Sequence, residues 1–152
     1  MAPSDFRNTY SIIGFCGIDR RAMAVRYRIH DNINNAEQFG LEIEAAIATG
    51  FLLAGDVLVL DNAAIHTGRE NRVLPAWLWE RFGVFVLFLP ARTPEWNPME
   101  QVWHLLVRRL KKVSLDALRH VGAHSVAYAA HHVLGGISHN DVYKMYHHSG
   151  LV

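Results

Sequence analysis

The chain has 152 residues, 51% hydrophobic and 19% charged, with a formal net charge of +1. That length predicts a single domain over residues 1–152 with a substantial core, and no apolar run approaches the ~18 residues of a membrane span. A single cysteine, Cys16, excludes an internal disulfide and fits a reducing compartment. The opening Met1-Ala2-Pro3-Ser4-Asp5-Phe6-Arg7 has neither a basic start nor an apolar core, so no secretion signal is expected.

Thr9 to Cys16 is rich in β-branched and aromatic residues and predicts a strand. Gly17-Ile18-Asp19-Arg20-Arg21 reads as a turn into a second strand, Ala22 to Ile29, forming a hairpin. Asn35 is placed to cap a helix from Ala36 to Ala48, with Phe39, Ile43, Ala46 and Ile47 at helical spacing. Gly50 and Gly55 bracket a connector, Phe51-Leu52-Leu53. Val57 to Leu60 is continuously apolar, the pattern of a strand buried on both faces. Arg69 to Arg81 predicts a helix whose start is constrained by Pro75 and whose end is set by Gly83. Val84 to Leu89 predicts another buried strand. Pro98 suits the first turn of a helix reaching about Lys112, and a last helix is expected from Ser114 or Leu115 to Val133. Gly135-Gly136 then breaks the chain before a short tail.

A hairpin followed by strand–helix–strand units is an α/β pattern, a mixed sheet with helices on both faces. In such sheets the carboxyl ends of central strands face the functional crevice, and Asp61 stands at such an end. Taken alone it reads equally well as an Asp-Asn turn leaving a strand. Glu100 falls in the first turn of the Pro98 helix, where the dipole favours its charge, with Asn97 as N-cap. That reading accounts for Glu100, but not for Pro90, Pro94, Trp96, Asn97 and Pro98 crowded just before it.

These blocks together resemble the DDE endonuclease domain of Tc1/mariner and IS630-type transposases. The resemblance rests on Asp61-Asn62-Ala63 with His66, Leu89-Pro90, Thr93-Pro94, Asn97-Pro98 and Glu100-Gln101-Val102-Trp103. Tyr10 to Ile47 looks like the family's second and third strands and first helix, and Tyr146 to Leu151 resembles its usual tail. The resemblance implies an RNase H-like fold and metal-dependent cutting and joining of DNA. It implies two Mg²⁺ (or Mn²⁺) ions on hard oxygen ligands, one activating the attacking hydroxyl and one stabilising the leaving oxygen. Asp61 and Glu100 would be the catalytic metal ligands. Asn62 and His66 would shape the site or touch phosphate, and Trp96 and Asn97 would fix the loop that aims Glu100.

The departure lies at the front. The family's first catalytic aspartate sits on a strand before the one at Thr9, and neither Asp5, Asp19 nor Asp31 matches that position. The sequence therefore reads as a domain lacking its first strand, and the helix-turn-helix segments that precede such domains are not seen. The expectation is weak metal binding and little cleavage by this chain alone, unless a companion chain supplies the strand. The other reading is a catalytically inactive module that binds DNA or protein. An open neighbouring edge would also allow a homodimer.

The basic cluster Arg108, Arg109, Lys111 and Lys112 is read as a contact to DNA phosphates. His120 and His124 stand one helical turn apart, but with no cysteine or acid beside them packing is preferred to zinc. Trp77, Trp79 and Phe82 read as core or interface residues, and Cys16 as a packed thiol. The location expected is the nucleus for a eukaryotic source, the cytoplasm otherwise.

Overall fold

A computed structural model of the chain describes residues 10–19, 22–31, 34–61, 73–112 and 124–152. Strand β1 (Ser11–Cys16) pairs antiparallel with β2 (Val25–His30), in a register running from Ser11↔His30 to Cys16↔Val25. Helix α1 (Ala36–Ala48) starts as the sequence predicts, because the Asn35 side chain accepts the Gln38 N–H at 2.9 Å. Strand β3 (Val57–Leu60) pairs in parallel with β4 (Phe85–Phe88), joined through α2 (Leu74–Phe82). Gly83, at φ 67°, ends α2 in the left-handed conformation that a glycine adopts without strain. Among the described residues, three further helices follow, α3 (Pro98–Leu110), α4 (His124–Gly135) and α5 (His139–His148).

The mixed α/β character is present, but its form differs from a single continuous sheet. Among the described residues the strands make two separate two-stranded sheets, one antiparallel and one parallel. Two apolar clusters cover them. One gathers Ile13 and Phe15 of β1, Leu58 and Leu60 of β3, and residues of α1 and α2 including Ile43 and Leu78. The other packs Val25 of β2 against Val102 and Leu106 of α3, Leu134 of α4 and Val142 of α5. Strand β1 serves both, since its alternate residues Ile12 and Cys16 turn to the second cluster.

Two sequence expectations are corrected. The continuous apolar runs of β3 and β4 predict burial on both faces, yet Val57, Phe85 and Leu87 are 55%, 53% and 51% exposed. Leu58 and Leu60 of β3 and the flanking Val84 are buried in the core, and Val86 and Phe88 of β4 pack against it from the same pair. Of the three aromatics read as core or interface residues, Trp77 and Phe82 pack against the core, and Trp79 is exposed, resting on Phe85 with ring centroids 4.2 Å apart. The tail after Gly136 is a full helix, α5. Its start is a capping box in which Ser138 Oγ accepts the Asp141 N–H and the Asp141 carboxylate accepts the Ser138 N–H. That Ser-x-x-Asp signature was present in the sequence, masked by a helix in which only Val142 is fully buried. The expected Ser114 N-cap, the first half of the helix beginning there, Thr9, and the Arg69–Arg72 start of the second helix lie outside the described residues.

No helix among the described residues is long and apolar enough to cross a membrane. Cys16 packs beside the second cluster, and burial pushes its thiol up to about 12. Tyr146, whose hydroxyl donates to the Cys16 carbonyl at 2.9 Å, is also shifted upward by burial.

Candidate functional site

Asp61 follows the last residue of β3, and the tight link from β4 brings the start of α3 to the same place. The link is built of local hydrogen bonds. Thr93 Oγ1 donates to the Pro90 carbonyl at 2.6 Å, and the Trp96 N–H donates to the Thr93 carbonyl at 3.0 Å, closing a single 3₁₀ turn over Pro94–Trp96. Arg92 takes φ 62°, a left-handed conformation that is uncommon outside glycine. Asn97 then caps α3, its side-chain oxygen accepting the Met99 N–H at 3.1 Å, with Pro98 at the first helical positions. This places Glu100 in the first turn, where its carboxylate is favoured by the helix dipole.

Asp61 and Glu100, both half-buried, line one cavity of about 590 Å³ together with Asn97, Pro98, Met99 and Trp103. The cavity runs between β1 and β3, touching each residue from Ile12 to Asp19 and from Asp56 to Asp61. Trp103 is three positions after Glu100 and shares its side of α3, as the sequence spacing predicts. It also keys α3 to β1. A Cβ on Gly14 would stand 2.9 Å from Cη2 of Trp103 and 3.0 Å from Cε of Met99, so this close approach requires glycine.

The other predicted site residues divide into three groups. Asn97 lines the cavity and caps the helix that carries Glu100. Trp96 is 46% exposed and is not among the lining residues, so its part is confined to the 3₁₀ turn. Asn62 and His66 lie outside the described residues. Arg108, Arg109, Lys111 and Lys112 are exposed at the far end of α3, roughly 12–18 Å from Glu100 at 1.5 Å per residue. Arg109 already has a neighbour: its charge helps hold the Asp141 carboxyl below the usual range, where the Ser138 N–H is the larger cause.

Some cavity residues were not singled out by sequence reasoning. Asp56 lines the wall and accepts the Leu53 N–H at 2.8 Å, which closes the turn into β3. Asp19, read as a turn acid, also lines the cavity, as does Tyr146 from the distant α5. No local pattern announces Tyr146, because its place depends on how α5 docks.

His131, exposed on α4, rests on the Tyr27 ring at a centroid distance of 5.3 Å, while His120 lies outside the described residues. Among the described residues no group of three or more His, Cys, Asp or Glu side chains is placed to hold a metal ion. Asp61 and Glu100 are nonetheless the donor type that a hard divalent cation takes, and each can supply part of its oxygen shell.

A family model described as DDE superfamily endonuclease matches residues 5–121, which span β1 to α3 and include Asp61 and Glu100. No curated protein and no solved structure matches the chain significantly. The chain belongs to the DDE superfamily endonuclease family.

Proposed function

We propose that this DDE superfamily endonuclease is a transposase catalytic domain of the Tc1/mariner or IS630 type, with an RNase H-like arrangement and Asp61 and Glu100 as its metal-binding carboxylates. The observation that carries this reading is the convergence of those two acids on one cavity, from the end of β3 and the first turn of α3. The motif blocks around them support the subfamily: Asp61-Asn62-Ala63, Thr93-Pro94, Asn97-Pro98 and Glu100-Gln101-Val102-Trp103. Divalent ions bound there would activate a hydroxyl nucleophile and stabilise the leaving oxygen of a phosphodiester. The chain's own part is to hold the two carboxylates in place: Asn97 fixes the helix start beneath Glu100, and the β3–β4 ladder fixes Asp61. DNA is the substrate, with the exposed Arg108, Lys111 and Lys112 as phosphate contacts beyond the cavity.

Two acids hold a pair of ions poorly, so the chain by itself is expected to nick DNA weakly or not at all, and a companion strand carrying an acid would restore cutting. A supercoiled-plasmid assay with Mg²⁺ or Mn²⁺ tests this. Nicking lost in both Asp61→Ala and Glu100→Ala supports the nuclease site; nicking unaffected by either removes these residues from the chemistry. The second reading, an inactive DNA-binding module, is favoured by the exposure of the basic cluster. It predicts DNA retention that weakens steeply with salt, with a shallower salt slope in Lys111→Ala/Lys112→Ala and no dependence on Asp61.

A further inference from the structure

Three of the four tryptophans are accounted for by packing. Trp77 meets Phe82 edge-on against the first cluster, with ring centroids 5.1 Å apart. Trp79 rests on Phe85, and Trp103 packs against the second cluster and over Gly14. Trp96 belongs to neither cluster. Among the described residues its ring has no aromatic neighbour and its Nε1–H no acceptor. Tryptophan is highly buried on average, and this one is 46% exposed.

The ring stands on a rigid mount beside the two acids. Pro90, Pro94 and Pro98 restrict the backbone on either side of it. The Trp96 and Asn97 N–H groups donate to the Thr93 and Pro94 carbonyls, each at 3.0 Å. Only two side-chain torsions are left to fix when the ring binds something, so little entropy is lost. Asn97, the next residue, lines the cavity. Glu100 lies four positions after Trp96, at most about 14 Å away by chain reach. Along a DNA strand that is no more than about four base steps at ~3.4 Å each.

The charges on the link select what the ring can meet. Glu95, exposed on the same turn, repels phosphate and can accept from the amino edge of a base. Arg92, exposed earlier on the link, is a cation for the backbone of the same strand. A base inside a paired duplex has both faces covered by its neighbours, whereas an unpaired base offers a face to an aromatic ring. We propose that Trp96 is a stacking platform for an unpaired nucleobase of the DNA strand whose phosphate lies at Asp61 and Glu100. The platform makes the protein selective for DNA with an unpaired nucleotide beside the cutting site. This assignment rests on the reading of those two acids as a nuclease site, and it adds a determinant of which DNA enters.

Fluorescence anisotropy on the full chain in EDTA, where no strand is cut, tests it. The probes are a blunt DNA duplex, the same duplex with an unpaired 3′ extension, and that extension built of abasic sugars. The parent chain should bind the base-bearing extension about tenfold or more tighter than the blunt or abasic DNA. Trp96→Ala should lose that preference with its blunt-duplex affinity unchanged, and Trp96→Phe should keep most of it. In Trp79→Phe, which leaves Trp96 as the exposed tryptophan, the base-bearing extension should quench indole emission and the abasic one should not. A Trp96→Ala chain that binds all three DNAs as the parent does, or weakens equally for all three, overturns the stacking role and leaves the DNA reading standing. So does a parent chain that binds all three alike. A parent chain that binds none of them overturns both.

Discussion

The two sheets are built from similar strands and sit in unlike surroundings. In β1–β2, one face of β1 packs Ile13 and Phe15 against α1, and the reverse side meets α3, α4 and α5. In β3–β4 the strand sequences are more uniformly apolar, yet one face is left with Val57, Phe85 and Leu87 more than half exposed. The strands of the covered sheet are the more mixed in sequence, and β2 even carries Arg28 in an ion pair with the buried Glu42 of α1. Burial is therefore set by which helices arrive, and strand hydrophobicity alone predicts it poorly.

The sharpest test of that contrast is a pair of truncations. Ile43→Ala in α1, fully buried in the cluster shared by both sheets, should cost about 3 kcal/mol in urea unfolding. A loss below ~1 kcal/mol would mean the shared core is looser than its burial implies. Gly14→Ala tests the close approach of α3 to the covered sheet and should cost roughly 1–3 kcal/mol, because its Cβ meets Trp103 and Met99. Gly40→Ala, in the middle of α1 with nothing within 4 Å of the new Cβ, should instead stabilise by roughly 0.5–1 kcal/mol. Equal effects at the two glycines would break the packing account.

Asp141→Ala removes half of the α5 capping box beneath the covered sheet and should cost about 1 kcal/mol at neutral pH. The Asp141 carboxyl is held below its ordinary value, chiefly by the Ser138 N–H. Its contribution is thus present above an unfolded pKa near ~4 and is lost as pH falls through the lower folded value. The difference between the parent chain and Asp141→Ala, followed from pH 7 downward, should shrink in that acidic window. The smallest effect belongs to the open sheet. Leu87→Ala should fall within about 0.5 kcal/mol, and a cost above 2 kcal/mol would show that its face is covered in solution.

Much of this was legible in the sequence, for reasons that are local. The α1 start at Asn35, the Pro98 helix and the placement of Glu100 in its first turn follow from capping and proline chemistry within a few residues. The Phe39–Ile43–Ala46 stripe follows from helical periodicity and faces the core as expected. Asp61 and Glu100 do line one cavity, which the family pattern implied. What could not be read was long-range. The exposure of Val57 and Leu87 depends on which faces the helices leave bare, and the reach of Tyr146 to Cys16 depends on the docking of α5. The split into two sheets is equally non-local, since apolar strands announce their faces and never their edges.

The glycine contact between β1 and α3 has a mechanical side. Glu100 rides on a helix pinned, through Trp103 against Gly14, to the first sheet, whereas Asp61 belongs to the second. The separation of the two carboxylates is therefore a gauge of the spacing between the sheets. Whatever widens or narrows the space between the sheets resets the distance between the acids.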